Sequence, residues 1–171
     1  MTTDDRTLIL NRIRQALPDI PADETPDDVL VPREYQHSHA TGDLVELFAT
    51  RVGDYRAGVT RTDAAGLPTT IARLLDQRAI TTLVAPPGFP RQWLARATTV
   101  EVLADEPTLT VTQLDATAGV ITTAALAIAE TGTIILDAGP GQGRRALTLL
   151  PDYHLCIIQA DQITQIGRAH V

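Results

Sequence analysis

The chain has 171 residues, a formal net charge of −7 and a single cysteine. It is long enough for one domain with a substantial core, too acidic for a nucleic-acid-binding face, which needs clustered positive charge, and unable to form an internal disulfide. It has no apolar run long enough for a transmembrane helix and no basic-then-apolar leader at its Thr/Asp-rich start, so a cytoplasmic protein with no membrane span is expected.

In chain order, Leu8, Ile9, Ile13, Ala16 and Leu17 recur at helical spacing with Arg6, Arg12 and Arg14 outside. This predicts an amphipathic helix over residues 5–17, ended by Pro18. Pro18, Pro21, Pro26 and Pro32 then lie among acidic residues, which reads as a linker or extended arm. Residues 1–40 are therefore expected to be a helix plus a Pro/acidic-rich arm, and residues 41–165 the main domain. Leu44, Val45, Leu47, Phe48 and Val52 suggest a second helix beginning after Thr41 or Asp43, and Gly58-Val-Thr60 a short strand. Leu67–Leu75 reads as a helix feeding a β-branched strand at Ile80–Ala85, which ends in the turn Pro86-Pro-Gly88. Trp93 and Leu94 fall on a short helical segment, and Trp93 reads as a core or interface residue. Thr99–Leu103 reads as the next strand, and Asp115–Gly119 as a helix end. Leu126–Leu136 predicts a hairpin pivoting at Thr131-Gly132, Gly143–Leu150 a short helix stopped by Pro151, and Tyr153–Gln159 a buried strand. Alternating helices and short aliphatic strands give an α/β fold with a mostly parallel sheet, made mixed by the hairpin. Ligands in such folds bind beyond the carboxyl ends of the strands. Pro86-Pro-Gly88 and the 137–145 loop are both such ends.

The richest chemistry lies in Ala129-Glu-Thr-Gly-Thr-Ile-Ile-Leu136 and the following Asp137-Ala-Gly-Pro-Gly-Gln-Gly-Arg-Arg145. Gly139, Gly141 and Gly143 let backbone N–H groups approach a ligand without a Cβ in the way, and Arg144 and Arg145 add fixed positive charge. Phosphate or carboxylate would fit. The spacing is neither the Walker lysine motif nor the dinucleotide fingerprint, and the plain alternative is a flexible connection with solvent-facing arginines. Glu130, in an apolar stretch beside a turn, suits nucleophilic or acid–base work if desolvated. It could equally tie down the turn through backbone N–H groups. Thr131 and Thr133 could hydrogen-bond a ligand around Gly132, although Thr is common in strands. His154 could orient a substrate or carry a proton, or simply pack at a strand start. Cys156, in Leu155-Cys-Ile-Ile158, reads as a small buried hydrophobe. His37 and His39 lack carboxylate or thiolate neighbours and make a poor metal site, so no metal site is expected. An iron–sulfur cluster needs about four cysteine ligands, so this chain is expected to hold no such cofactor.

Ala-Glu-Thr-Gly-Thr133, the glycine-rich turn and Leu149-Leu-Pro-Asp-Tyr-His154 occur in the order found in the LUD-domain family, and the chain resembles its lactate-utilisation protein C branch over roughly residues 110–165. The resemblance implies the architecture shared by ribose-phosphate isomerases, glucosamine-phosphate deaminases and CoA transferases. It also implies one component of a three-protein system oxidising L-lactate to pyruvate. The partners would be an iron–sulfur protein with its own LUD domain and a cysteine-rich oxidoreductase-like subunit, which carry the redox centres. This chain would be a binding or assembly subunit. The alternative is a free-standing CoA-transferase-like or sugar-phosphate isomerase-like enzyme using Glu130, by analogy with the glutamate that forms the acyl intermediate in CoA transferases.

Ile166-Gly-Arg-Ala-His-Val171 can be encoded by ATC GGA AGA GCA CAC GTC, the start of a widely used sequencing adapter. The expectation is that these residues are adapter-derived and that the natural chain continues past Gln165. In LUD proteins that continuation holds a further helix and a Ser-Gly-Pro-Ser-type segment with an acidic residue.

Overall fold

The computed structural model describes residues 3–17, 25 and 42–165. The proline-rich arm with His37 and His39, and the 166–171 tail, lie outside the described residues. Two compact units divide the chain, Met1–Gln36 and His37–Val171. In the first, helix α1 (Thr3–Ala16) forms where the apolar spacing predicts it.

In the second unit, α2 (Leu44–Asp54) begins where Asp43 caps it, its carboxylate accepting from the Val45 N–H at 2.8 Å. That contact satisfies one of the donors a helix start leaves open. Residues 57–63 are irregular, so the strand expected at Gly58–Thr60 does not form. Val59 is exposed there, and so is Ala57 on the same alternating face. Helix α3 (Leu67–Gln77) has Pro68 in its first turn and buries Ile71 and Leu75. Strands β1 (Thr82–Val84) and β2 (Glu101–Leu103) follow, with a 3-10 turn at Arg91–Leu94 between them. Helix α4 (Val111–Asp115) starts at a capping box between Thr110 and Gln113. Then come β3 (Gly119–Thr123), β4 (Leu126–Ile128), β5 (Thr133–Ile135), β6 (His154–Ile157) and β7 (Ile163–Thr164).

The strands divide between two sheets. One is four-stranded and wholly parallel, in the order β2-β1-β3-β6. The other has the order β5-β4-β7, with β4 antiparallel to β5 and parallel to β7. The α/β class and mostly parallel pairing agree with the sequence reading. The hairpin, however, belongs to the second sheet, because the chain leaves the first one at Ala124-Ala125, between β3 and β4. Two more elements are shorter than expected. The helix at 143–150 is a 3-10 turn, Arg145–Thr148, confined between a left-handed Gly143 and Pro151. The buried strand at 153–159 is β6, a half-buried strand at the sheet edge.

Side chains alternate across the parallel sheet, as the two-residue period requires. On one face Leu83 and Ile121 pack with Ile71, Leu75, Phe89 and Leu94. Trp93 packs against that cluster edge-on to Phe89, with ring centroids 5.6 Å apart. On the other face Val84 and Val120 pack with Leu114 and Leu147. A separate cluster joins Phe48 and Val52 of α2 to Ala127 and Ala129 of the hairpin. Among the described residues no helix is long and apolar enough to cross a membrane.

Candidate functional site

The parallel sheet reverses its order at β1. From β1 the chain passes to β2 on one side and returns to β3 on the other, so the switch point lies between β1 and β3, at the carboxyl ends of the strands and beside a cleft. Pro87 and Gly88 leave β1 there, and Asp105, Glu106 and Thr108 follow β2. The segment Ala138–Arg144 folds over both. Together they line a cleft of about 680 Å³.

The covering loop is held by its own hydrogen bonds. Gln142, nearly fully buried, accepts from the Asp137 N–H at 2.7 Å, and the Asp137 carboxylate accepts from the Gly139 N–H at 2.8 Å. The Gln142 N–H donates to the Gly139 carbonyl. The Gly141 N–H donates to the Pro87 carbonyl at 2.8 Å, and the Gly141 carbonyl accepts from Thr123 N–H at 2.9 Å. The loop is thus stitched to the ends of β1 and β3. The amides of Gly139 and Gly141 are spent in this network, whereas that of Gly143 is not. Gly141 and Gly143 adopt φ of 78° and 71°, and a Cβ on Gly143 would meet Leu147 Cδ1 at 2.5 Å and Pro86 Cβ at 2.8 Å. Close packing by itself accounts for glycine at position 143.

Arg144 is engaged by the protein. Its Nε donates to Asp105 Oδ2 at 2.8 Å, and its Nη2 donates to Asp105 Oδ1 at 3.1 Å and to the Leu109 carbonyl at 2.6 Å. Asp105 Oδ1 also accepts from the Leu109 N–H at 2.9 Å. The Arg144 hydrogen bonds hold the Asp105 carboxyl below its ordinary range, against the opposing effect of burial. Arg145 is exposed, outside the cleft lining.

The other expected site residues lie elsewhere. In the hairpin, Leu126 pairs with Ile135 next to the covering loop, and Ile128 pairs with Thr133 at the opposite end. Glu130, Thr131, Gly132 and Thr133 occupy that opposite end. Gly132, at φ 65°, lies against the Arg51 and Val52 backbone of α2. One carboxylate oxygen of Glu130 is buried, and the Thr131 and Thr133 hydroxyls are 2.7 Å apart. His154 opens β6 at the amino end of the sheet, away from the cleft. The residue is exposed as a whole, yet its Nε2 sits 2.8 Å from the hydroxyl of the fully buried Thr122. Desolvation on that side lowers its pKa. Cys156 is half-buried, and burial pushes its thiol up, away from the reactive thiolate. The expected residues thus fall in three places. Only the glycine loop and Arg144 reach the cleft.

Asp105, Glu106, Thr108 and Gln142 are absent from the residues the sequence singles out. Asp105 had one legible signal, its place just after the apolar strand Val-Glu-Val-Leu103. Its partner Arg144 is 39 positions away, and no local pattern pairs them.

The LUD domain profile matches residues 69–165, more than half of the chain. The chain belongs to the LUD-domain family. Both sheets and the whole cleft of this LUD domain lie within the match. Over 129 residues it is 43% identical to the Lactate utilization protein C of Deinococcus radiodurans, an alignment covering 75% of this chain and 59% of that protein. The chain therefore spans about three-fifths of that relative's length. A crystal structure of a DUF162 family protein from Deinococcus radiodurans superposes with a TM-score of 0.65 at 42% identity, covering 73% of this chain and 74% of the other. Among the described residues, no group of three or more His, Cys, Asp or Glu side chains could hold a metal ion.

Proposed function

We propose that this LUD domain is part of an L-lactate utilisation system and acts there as a non-redox binding or assembly subunit. The observation that carries this reading is its 43% identity to a protein named Lactate utilization protein C. The single cysteine supports the non-redox role, since a cluster needs about four such ligands. The electron-carrying partners are an iron–sulfur protein with its own LUD domain and a cysteine-rich oxidoreductase-like subunit. The chain binds a small anion in the cleft beneath Gly139, Gly141 and Gly143, beside Arg144, with Arg145 contributing at longer range. Glu130, Thr131, Gly132, Thr133 and His154 serve the assembly surface or a second contact with ligand.

The test is deletion of the gene encoding this domain, with co-purification of its tagged product. Growth on L-lactate should fail while growth on pyruvate persists, and the two partners should co-purify. Unchanged growth on L-lactate, with neither partner retained, would sink the proposal. A second reading, a free-standing CoA-transferase-like or sugar-phosphate isomerase-like enzyme, draws on the buried carboxylate oxygen of Glu130. A hydroxylamine- or borohydride-trapped acyl adduct on Glu130, formed from an acyl-CoA, would put the transferase form of that reading first.

A further inference from the structure

Charge is spread unevenly along this acidic chain. Residues 67–100 carry four arginines, Arg73, Arg78, Arg91 and Arg96, against one carboxylate, Asp76, in a protein of net charge −7. Helix α3 and the 3-10 turn at Arg91–Leu94 pack together through Ile71, Leu75 and Leu94, on one face of the parallel sheet. Two of the arginines are tied to the protein. Arg78 lies over the Tyr153 ring, 4.7 Å from its centroid, and Arg91 donates to the Ala85 carbonyl at 3.3 Å. The other two, Arg73 and Arg96, line a groove of about 460 Å³ with Thr69, Ala72, Asp76 and Gln77, none of which lines the cleft.

The groove runs along α3. Its helical residues recur at i, i+3, i+4, i+7 and i+8, on the face opposite buried Ile71 and Leu75. Its donors are free to bind. Among the described residues Arg73 donates only to Gln77 Oε1, at 3.3 Å, and the Arg96 side chain has no partner. Asp76 accepts from the Thr99 hydroxyl at 3.4 Å and pairs with neither arginine. The lining therefore has one more guanidinium than carboxylate, with neither guanidinium neutralised. Length and pattern narrow the occupant. From Thr69 to Gln77 the helix rises about 12 Å, far more than one phosphate group spans, and Asp76 between the arginines would repel a dianion. A peptide meets both conditions: its carboxylates face the guanidiniums, and its backbone N–H groups face Asp76. Half-buried Ala72 has only a methyl group, which lets a backbone come close. We propose that this groove docks an acidic segment of a partner protein, its Asp or Glu carboxylates taken by Arg73 and Arg96 and its main chain by Asp76 and Gln77.

The experiment is an amide NMR titration of the chain with a capped peptide of alternating Glu and Ala, its Gln and Ala counterpart, and inorganic phosphate. Saturable shifts at Arg73, Asp76, Gln77 and Arg96 are expected with the acidic peptide, weakening as salt is raised because the site is exposed. The Gln peptide should give none. Joint Arg73→Glu and Arg96→Glu should weaken binding tenfold or more. Joint Arg12→Glu and Arg14→Glu on α1, which changes the net charge equally, should weaken it less than twofold. No saturable shift with the acidic peptide would overturn the proposal. So would equal weakening by both pairs, which would reduce the binding to net charge, or tighter binding of phosphate at the same amides, which would make the groove a free-anion site. Should the reversed pair at 73 and 96 not fold, Arg73→Gln with Arg96→Gln, which removes charge without adding repulsion, decides the matter.

Discussion

Asp105 accepts from Arg144 Nε, Arg144 Nη2 and the Leu109 amide, and so joins the loop after β2 to the loop that covers the cleft. Removing it strands a guanidinium and a backbone donor. Because Arg144 is partly exposed and can recover some solvation, Asp105→Ala should cost about 2 kcal/mol, less than a fully buried pair. Urea unfolding at neutral pH measures this, and a change well under about 0.5 kcal/mol would reduce the pair to surface decoration. The direction of its titration follows from the lowered folded-state pKa. The stabilisation is fully present above the unfolded carboxylate value, about 3.9, and is lost as pH falls from there through the folded value. Asp105→Asn should therefore flatten the fall in stability across that window. Identical slopes in the two proteins would refute the linkage.

At the level of elements, the hairpin of β4 and β5 depends on how closely its turn approaches α2. A Cβ on Gly132 would lie 2.9 Å from the Arg51 carbonyl carbon and 3.0 Å from the Val52 nitrogen, both backbone atoms that cannot rotate away. The residue also sits at φ 65°, where an L side chain is strained. Left-handed strain of about 1–2 kcal/mol adds to an overpacking cost of similar size, so Gly132→Ala should destabilise by about 2–3 kcal/mol. Thermal unfolding reads the change; an unaltered midpoint would mean that helix and turn separate without penalty. Gly132 of the Glu-Thr-Gly-Thr signature thus has a packing role of its own.

For the molecule as a whole, the uneven division of core between the two sheets sets a gradient of stability. The parallel sheet has buried clusters on both faces, including Leu75, Leu83, Val84, Leu114, Val120, Ile121 and Leu147, each essentially inaccessible to solvent. The second sheet rests mainly on Phe48, Val52, Ala127 and Ala129. Local opening is easier where fewer apolar contacts must break. Native-state hydrogen exchange should therefore find the amides of β3 more protected than those of β4, by at least tenfold. Equal protection would indicate that the two sheets unfold as one cooperative unit. The cleft lies on the stable side, at the ends of β1 and β2.

Several features were decided by local sequence. Helices α1, α2 and α3 formed where apolar spacing placed them, with Asp43 capping α2, and the turns followed Thr131-Gly132 and Pro86-Pro-Gly88, because a few adjacent residues control these conformations. The family signature was also legible, as short separated motifs in a fixed order. Lateral pairing was not. That the hairpin leaves the parallel sheet depends on which strand lies beside it, and strand pairing is a contest among distant segments that periodicity does not record. The same holds for the site. Three groups of chemically suggestive residues look continuous along the chain from Glu130 to His154, yet the hairpin and the parallel sheet send them to different ends of the fold. Only tertiary structure could pair Arg144 with Asp105 and spend the amides of Gly139 and Gly141 internally, because a guanidinium and an amide take whichever acceptors folding brings within about 3 Å.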